Sequence, residues 1–149
     1  MVMKSTKYWV LGVIVLLCGG MIAAYAVPRF LTMGRTAKLG EVRANLYGIK
    51  TAQFAYEASY GSFLAVGPHP RNLDDLSMAP AEWTSGSAFD TLGWAPDGPV
   101  RGIYQVEVLP YSLDFIVHGW IDADGDGVPA HFTVTKSTQP ERVTPNSVH

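Results

Sequence analysis

From Tyr8 to Val27 the chain runs for twenty residues without a charge, with Lys4 and Lys7 before the run and Arg29 after it. In a helix, rising about 1.5 Å per residue, such a run spans the roughly 30 Å hydrocarbon core of a bilayer. Three readings are open to it. It can be a retained transmembrane helix with its short Lys-bearing end in the cytoplasm. It can be a secretory signal cut after the A-x-A pattern Ala24-Tyr25-Ala26. It can carry a lipid on Cys18, although Leu17 is bulkier than the small residue such a signal places before its cysteine.

The pattern beyond the run favours retention. Phe30, Met33, Ala37, Val42, Leu46, Ile49, Ala52 and Phe54 recur mostly at three- to five-residue steps, with Lys38, Glu41, Arg43, Asn45 and Lys50 between them. That is the spacing of an amphipathic helix, and Gly61 supplies its stop. A helix from about Tyr8 to Ser59 is too long to stand alone in a domain of this size, and needs a membrane or neighbouring subunits along its exposed half. Pro28 is expected to kink it mildly, and Gly34, Gly40 and Gly48 each weaken it by about 1 kcal/mol relative to alanine.

The remaining chain reads as one small domain, since 149 residues allow an anchor and a single compact body. Its charges are dispersed, and a net charge of −2 gives no basic footprint for nucleic acid. The single cysteine rules out an internal disulfide, so this body is held by packing or by a bound ion. Residues 62–102 are rich in Pro and Gly and read as a long surface excursion with a short helical turn near Leu73 to Met78, pinned by Trp83, Phe89, Leu92 and Trp94. Three strands follow. Ile103 to Leu109 alternates with Tyr104, Val106 and Val108 on its apolar face. Ser112 to Ile121 places Leu113, Phe115, Val117 and Gly119 on one side, and Ala130 to Lys136 does the same with Phe132 and Val134. The fold class is therefore α+β: a long N-terminal helix, half membrane-spanning and half amphipathic, packed on a small antiparallel sheet. The expected divisions are a membrane-spanning part at 1–29, an extracytoplasmic head at 30–137, and a mobile tail at 138–149.

Gly20-Met21-Ile22-Ala23-Ala24-Tyr25-Ala26-Val27-Pro28-Arg29-Phe30 resembles the second half of the type IV pilin helix, a small-residue run ending in Pro-x-Phe. Glu41 to Gln53, Ala55-Tyr56 and Tyr60-Gly61 resemble its amphipathic half. Leu92-Gly93-Trp94-Ala95-Pro96-Asp97-Gly98, followed by Tyr104-Gln105-Val106, is similar to the entry into the first strand of the pilin head. The resemblance implies a minor pilin or pseudopilin-like subunit of a type IV pilus or type II secretion assembly. It would be a single-pass protein of the bacterial inner membrane with its head outside the cytoplasm, partnered by the membrane, other pilin or pseudopilin subunits and the assembly platform. One departure is specific. Counted back from Pro28, the family's near-terminal Glu falls on Leu11 and the Gly of its processing site on Thr6. The expectation is therefore a protein that keeps its N-terminus and the pilin shape without the methylation and cleavage motif.

Asp122-Ala123-Asp124-Gly125-Asp126-Gly127 joins the second and third strands. Carboxylates at alternate positions followed by Gly match the first half of a calcium loop, with a Val128 carbonyl as a further ligand, although Thr133 stands where the bidentate Glu belongs. The same residues also make a metal-free turn. His69, His118, His131 and His149 lack helical i, i+4 pairing and cysteine company, so they predict surface histidines, with His118 and His131 on adjacent strands. Asp74-Asp75 reads as a solvated pair. Tyr47, Phe54, Tyr56, Tyr60 and Phe63 read as the seam between helix and sheet. Gly19, Gly20, Ala23 and Ala24, with Pro28 beyond them, allow neighbouring helices to approach closely. No nucleophile elbow, phosphate loop or catalytic carboxylate pair is present, so the sequence predicts no enzyme. The alternative to a fibre subunit is an anchored or released periplasmic binding domain, using its proline- and tryptophan-rich loop.

Overall fold

The computed structural model describes residues 3–145 and 148; His149 lies outside them. The chain divides into two units, Met1–Thr36 and Ala37–His149. Helix α1 (Met3–Tyr60) contributes to both and continues through Pro28. In the first unit every residue from Tyr8 to Phe30 is exposed. A window of mean hydropathy 2.5 with no buried residue makes this helix long and apolar enough to cross a membrane. Arg29 Nη1 donates to the Tyr25 hydroxyl at 2.7 Å, one turn back along the helix.

In the second unit the remaining turns of α1 lie on a five-stranded antiparallel sheet ordered β1 (Val66–His69), β2 (Ile103–Val108), β3 (Phe115–Ile121), β4 (Ala130–Thr135), β5 (Glu141–Arg142). Alternation along β3 and β4 is strict: Phe115, Val117, Gly119 and Ile121 are buried, as are Ala130, Phe132 and Val134, while the residues between are half-buried. Register carries this across the sheet, pairing Tyr104 with Gly119, Val106 with Val117, and Gly119 with Phe132. Val42, Leu46 and Ile49, all fully buried, fill the helix side of the same core.

Gly119 sets how closely the helix docks. A Cβ built there would stand 2.7 Å from Val42 Cγ1 and 3.3 Å from Leu46 Cδ2, inside the packing distance of carbon atoms. Gly119→Ala is therefore expected to cost about 1–3 kcal/mol by overpacking, visible as a lower melting midpoint. An unchanged midpoint would show that the helix yields freely over this position.

Five strands replace the expected three, and both additions come from segments read as irregular. The excursion over 62–102 holds β1, a 3-10 turn at Leu73–Asp75, helix α2 (Ala88–Leu92) and an Ala81–Val100 bridge. Arg71 organises it, donating to Ser77 Oγ at 2.9 Å, the Ala79 carbonyl at 2.8 Å and the Arg101 carbonyl at 3.3 Å. Trp83, Phe89, Leu92 and Trp94 do pin it: Phe89 and Leu92 are buried, and the Trp83 ring meets Phe89 and Trp94, each at 5.2 Å.

The segment read as a mobile tail is tied down as far as Thr144. Lys50 Nζ donates to the Thr138 carbonyl at 2.6 Å, Lys136 pairs with Glu57 at 2.9 Å, and β5 pairs Arg142 with Phe132. The second strand begins at Phe115 rather than Ser112, because Pro110–Ser112 forms a 3-10 turn with Tyr111 at a φ of 68°. Of the expected seam aromatics, Phe63 is buried and Phe54 and Tyr56 are half-buried, whereas Tyr47 and Tyr60 are exposed.

Candidate functional site

The loop between β3 and β4 gathers the three predicted carboxylates, with one oxygen from each of Asp122, Asp124 and Asp126 lying within 4.8 Å of the others. Asp122, at the end of β3, is 3 % exposed. Its Oδ1 accepts from the Gly125 amide at 2.6 Å and its Oδ2 from the Gly127 amide at 3.1 Å. The turn requires left-handed backbone at Gly125 (φ 84°) and Gly127 (φ 80°), which glycine adopts without a side-chain clash. Asp126 Oδ1 accepts from the Val128 amide at 2.8 Å, and Val128 itself is half-exposed. Lys38 Nζ, from α1, donates to the Ala123 carbonyl at 2.8 Å and brings a positive charge to the base of the loop.

These bonds explain the turn without a metal, with one exception. Asp124 Oδ1 is buried and has no hydrogen-bond partner among the described residues. A desolvated carboxylate oxygen beside two like charges is costly unless something positive meets it. The donor set, all oxygen, suits calcium.

A second constellation lies on the outer face of the sheet. His118 of β3 and His131 of β4 approach with Nδ1 and Nε2 3.1 Å apart. The Trp120 ring is parallel to both, 5.2 Å from His118 and 4.9 Å from His131. Glu107 Oε2, from β2, lies 3.6 Å from His118 Nε2. Alternation places these residues on one face, but the contact depends on the β3–β4 register, which pairs Trp120 with His131. No local sequence signal contains that register.

Burial holds the His118 imidazole below its ordinary pKa, partly offset by Glu107, and burial with the neighbouring His118 does the same to His131. Both rings are then neutral in the folded protein at a pH where the unfolded chain already binds protons. Unfolding takes up protons as pH falls through about 6.5, the ordinary histidine value, so stability is lost below that point. The melting midpoint is expected to drop between pH 7.5 and 5, with a shallower drop in the His118→Gln/His131→Gln double variant. Identical pH profiles would remove the pair from the acid response.

In the core, burial pushes the Tyr104 phenol well above its usual pKa, and Asn45 Nδ2 donates to its oxygen at 2.8 Å. Asp74 and Asp75 are exposed in their 3-10 turn. Gly19 and Gly20 have open space where a side chain would stand, and Ala23 and Ala24 beside them are exposed. Comparison with protein-family models, curated proteins and solved structures returns no match.

Proposed function

We propose that the protein is a pilin-like structural subunit, a minor pilin or pseudopilin of a type IV pilus or type II secretion-type assembly, held in the bacterial inner membrane with its second unit outside the cytoplasm. The observation that carries the reading is one helix with two chemistries. From Tyr8 to Val27 it is uncharged, and it is exposed through Phe30, while from Val42 to Gln53 it supplies a buried face to an antiparallel sheet. A sheet domain that needs only its own core has no use for the first part. A membrane, or helices of neighbouring subunits approaching along Gly19, Gly20, Ala23 and Ala24 near Pro28, would cover it.

The test combines the mass of the mature protein with fractionation and copurification. An N-terminus that retains the Tyr8–Val27 run, in the membrane fraction and with other pilin or assembly-platform subunits, supports the reading. Cleavage after Ala26 removes the helix such packing uses, and leaves a released periplasmic binding domain as the better account.

Within this reading, the Asp122–Asp126 loop is proposed to take calcium, completed by the Val128 carbonyl and water. The unpartnered Asp124 oxygen supports this. Millimolar calcium is expected to raise the melting midpoint and chelator to reverse the rise, with no response in Asp124→Asn. A wild-type curve indifferent to both removes calcium.

A further inference from the structure

We propose that His118 and His131 together bind a divalent transition-metal ion, zinc or copper, on the outer face of the sheet. Trp120 sits opposite His131 and His118 opposite Thr133, so the two histidines are diagonal neighbours on one face, held by the ladder on either side. Their ring planes are within 16° of parallel. Their nitrogens are 3.1 Å apart, less than the roughly 3.5 Å at which stacked rings make contact. The rings therefore meet edge to edge, with the two nitrogens aimed at the space between them.

That separation matches a chelate. Two nitrogens each about 2.0–2.1 Å from one zinc are about 3.3 Å apart at a tetrahedral angle and about 2.9 Å apart at a right angle. The observed distance falls between these values, so the two nitrogens already stand at a chelating separation. Glu107 supplies the supporting part. Its carboxylate 3.6 Å from His118 Nε2 favours the proton on that nitrogen and leaves the Nδ1 lone pair for an ion. Trp120 lies parallel to both rings and fixes their orientation, while the half-buried imidazoles leave room for water to complete the coordination. Without an ion, one proton lies between the two nitrogens as an N–H···N bond. On binding, the His131 proton moves through solvent from Nε2 to Nδ1, and Nε2 is freed for the ion.

The experiment uses the full chain in detergent, purified without a polyhistidine tag, and titrated with zinc chloride at pH 7.5. One equivalent is expected to bind, with affinity at least tenfold weaker in His118→Asn and in His131→Asn. Glu107→Gln is expected to weaken it by about tenfold, the low end for a group that orients a metal ligand. Asp74→Asn, exposed in its 3-10 turn, should bind zinc as the wild type does. Wild-type protein that takes up no zinc saturably, or a His131→Asn variant that binds it equally well, overturns the proposal. A readout independent of variant folding is the electron paramagnetic resonance of the wild type loaded with one Cu2+. Nitrogen coupling from two imidazoles is expected, and an all-oxygen spectrum overturns the site.

Discussion

Phe115→Ala is expected to destabilise the second unit by about 3–5 kcal/mol, the range for removing a large aromatic from a packed core. The ring is fully buried at the start of β3. It meets Phe63 edge-on at 4.7 Å and Phe54 at 6.0 Å, joining the sheet both to α1 and to the segment that leaves it. Those neighbours belong to two separate elements, α1 and the connection that follows it, so the space left by an alanine cannot close by moving one side chain. Thermal unfolding of the detergent-solubilised chain should show a midpoint lower by roughly 10–20 °C. Leu113→Ala is the matched control. Leu113 is 73 % exposed, and its removal should change stability by no more than about 0.5 kcal/mol. Equal effects of the two substitutions would show that Phe115 is not part of the core.

Leu113 and Phe115 also mark what the sequence could and could not say. Period-two alternation puts both on one face with Val117 and Gly119, and for the last three that is correct. Leu113 departs because the strand has not yet begun. Asp114 Oδ1 accepts from the amides of Phe115 and Lys136, and the preceding 3-10 turn directs the chain elsewhere. The Lys136 bond is tertiary, and no pattern within the segment contains it. The same division runs through the whole chain. The long helix, the three central strands and the Asp loop were legible because each rests on local periodicity or turn chemistry. Strands β1 and β5 were not, because Val66–His69 and Glu141–Arg142 are short and lie in Pro-rich sequence. They become strands through pairing with β2 and β4 and through the helix residues Gln53 and Lys50, which hold Leu64 and Thr138 just ahead of them. The histidine pair was legible only as far as adjacent strands.

The least legible part of the core is Gln53. The helix periodicity offers Ala52 and Phe54 as the apolar positions after Ile49, yet both are only half-buried and Gln53 between them is fully buried. Its amide forms a closed pair with one residue of the connection: Nε2 donates to the Leu64 carbonyl at 2.6 Å, and Oε1 accepts from the Leu64 amide at 3.0 Å. Leu64 lies two residues before β1, where no strand partner is available, so the glutamine takes the place of a ladder. Gln53→Leu keeps the volume and removes both bonds. The Leu64 N–H and C=O are then left without their partner, at about 1–3 kcal/mol each, for a total of about 2–6 kcal/mol. The loss should also be local before it is global. Amide hydrogen exchange at Leu64 and Val66 is expected to accelerate in Gln53→Leu under conditions where β3 and β4 remain protected, because β1 loses its entry point while the central ladder keeps its own bonds. A variant that melts with the wild type and keeps slow exchange at Leu64 would show that water replaces the side chain, and that β1 is held by its pairing with β2 alone.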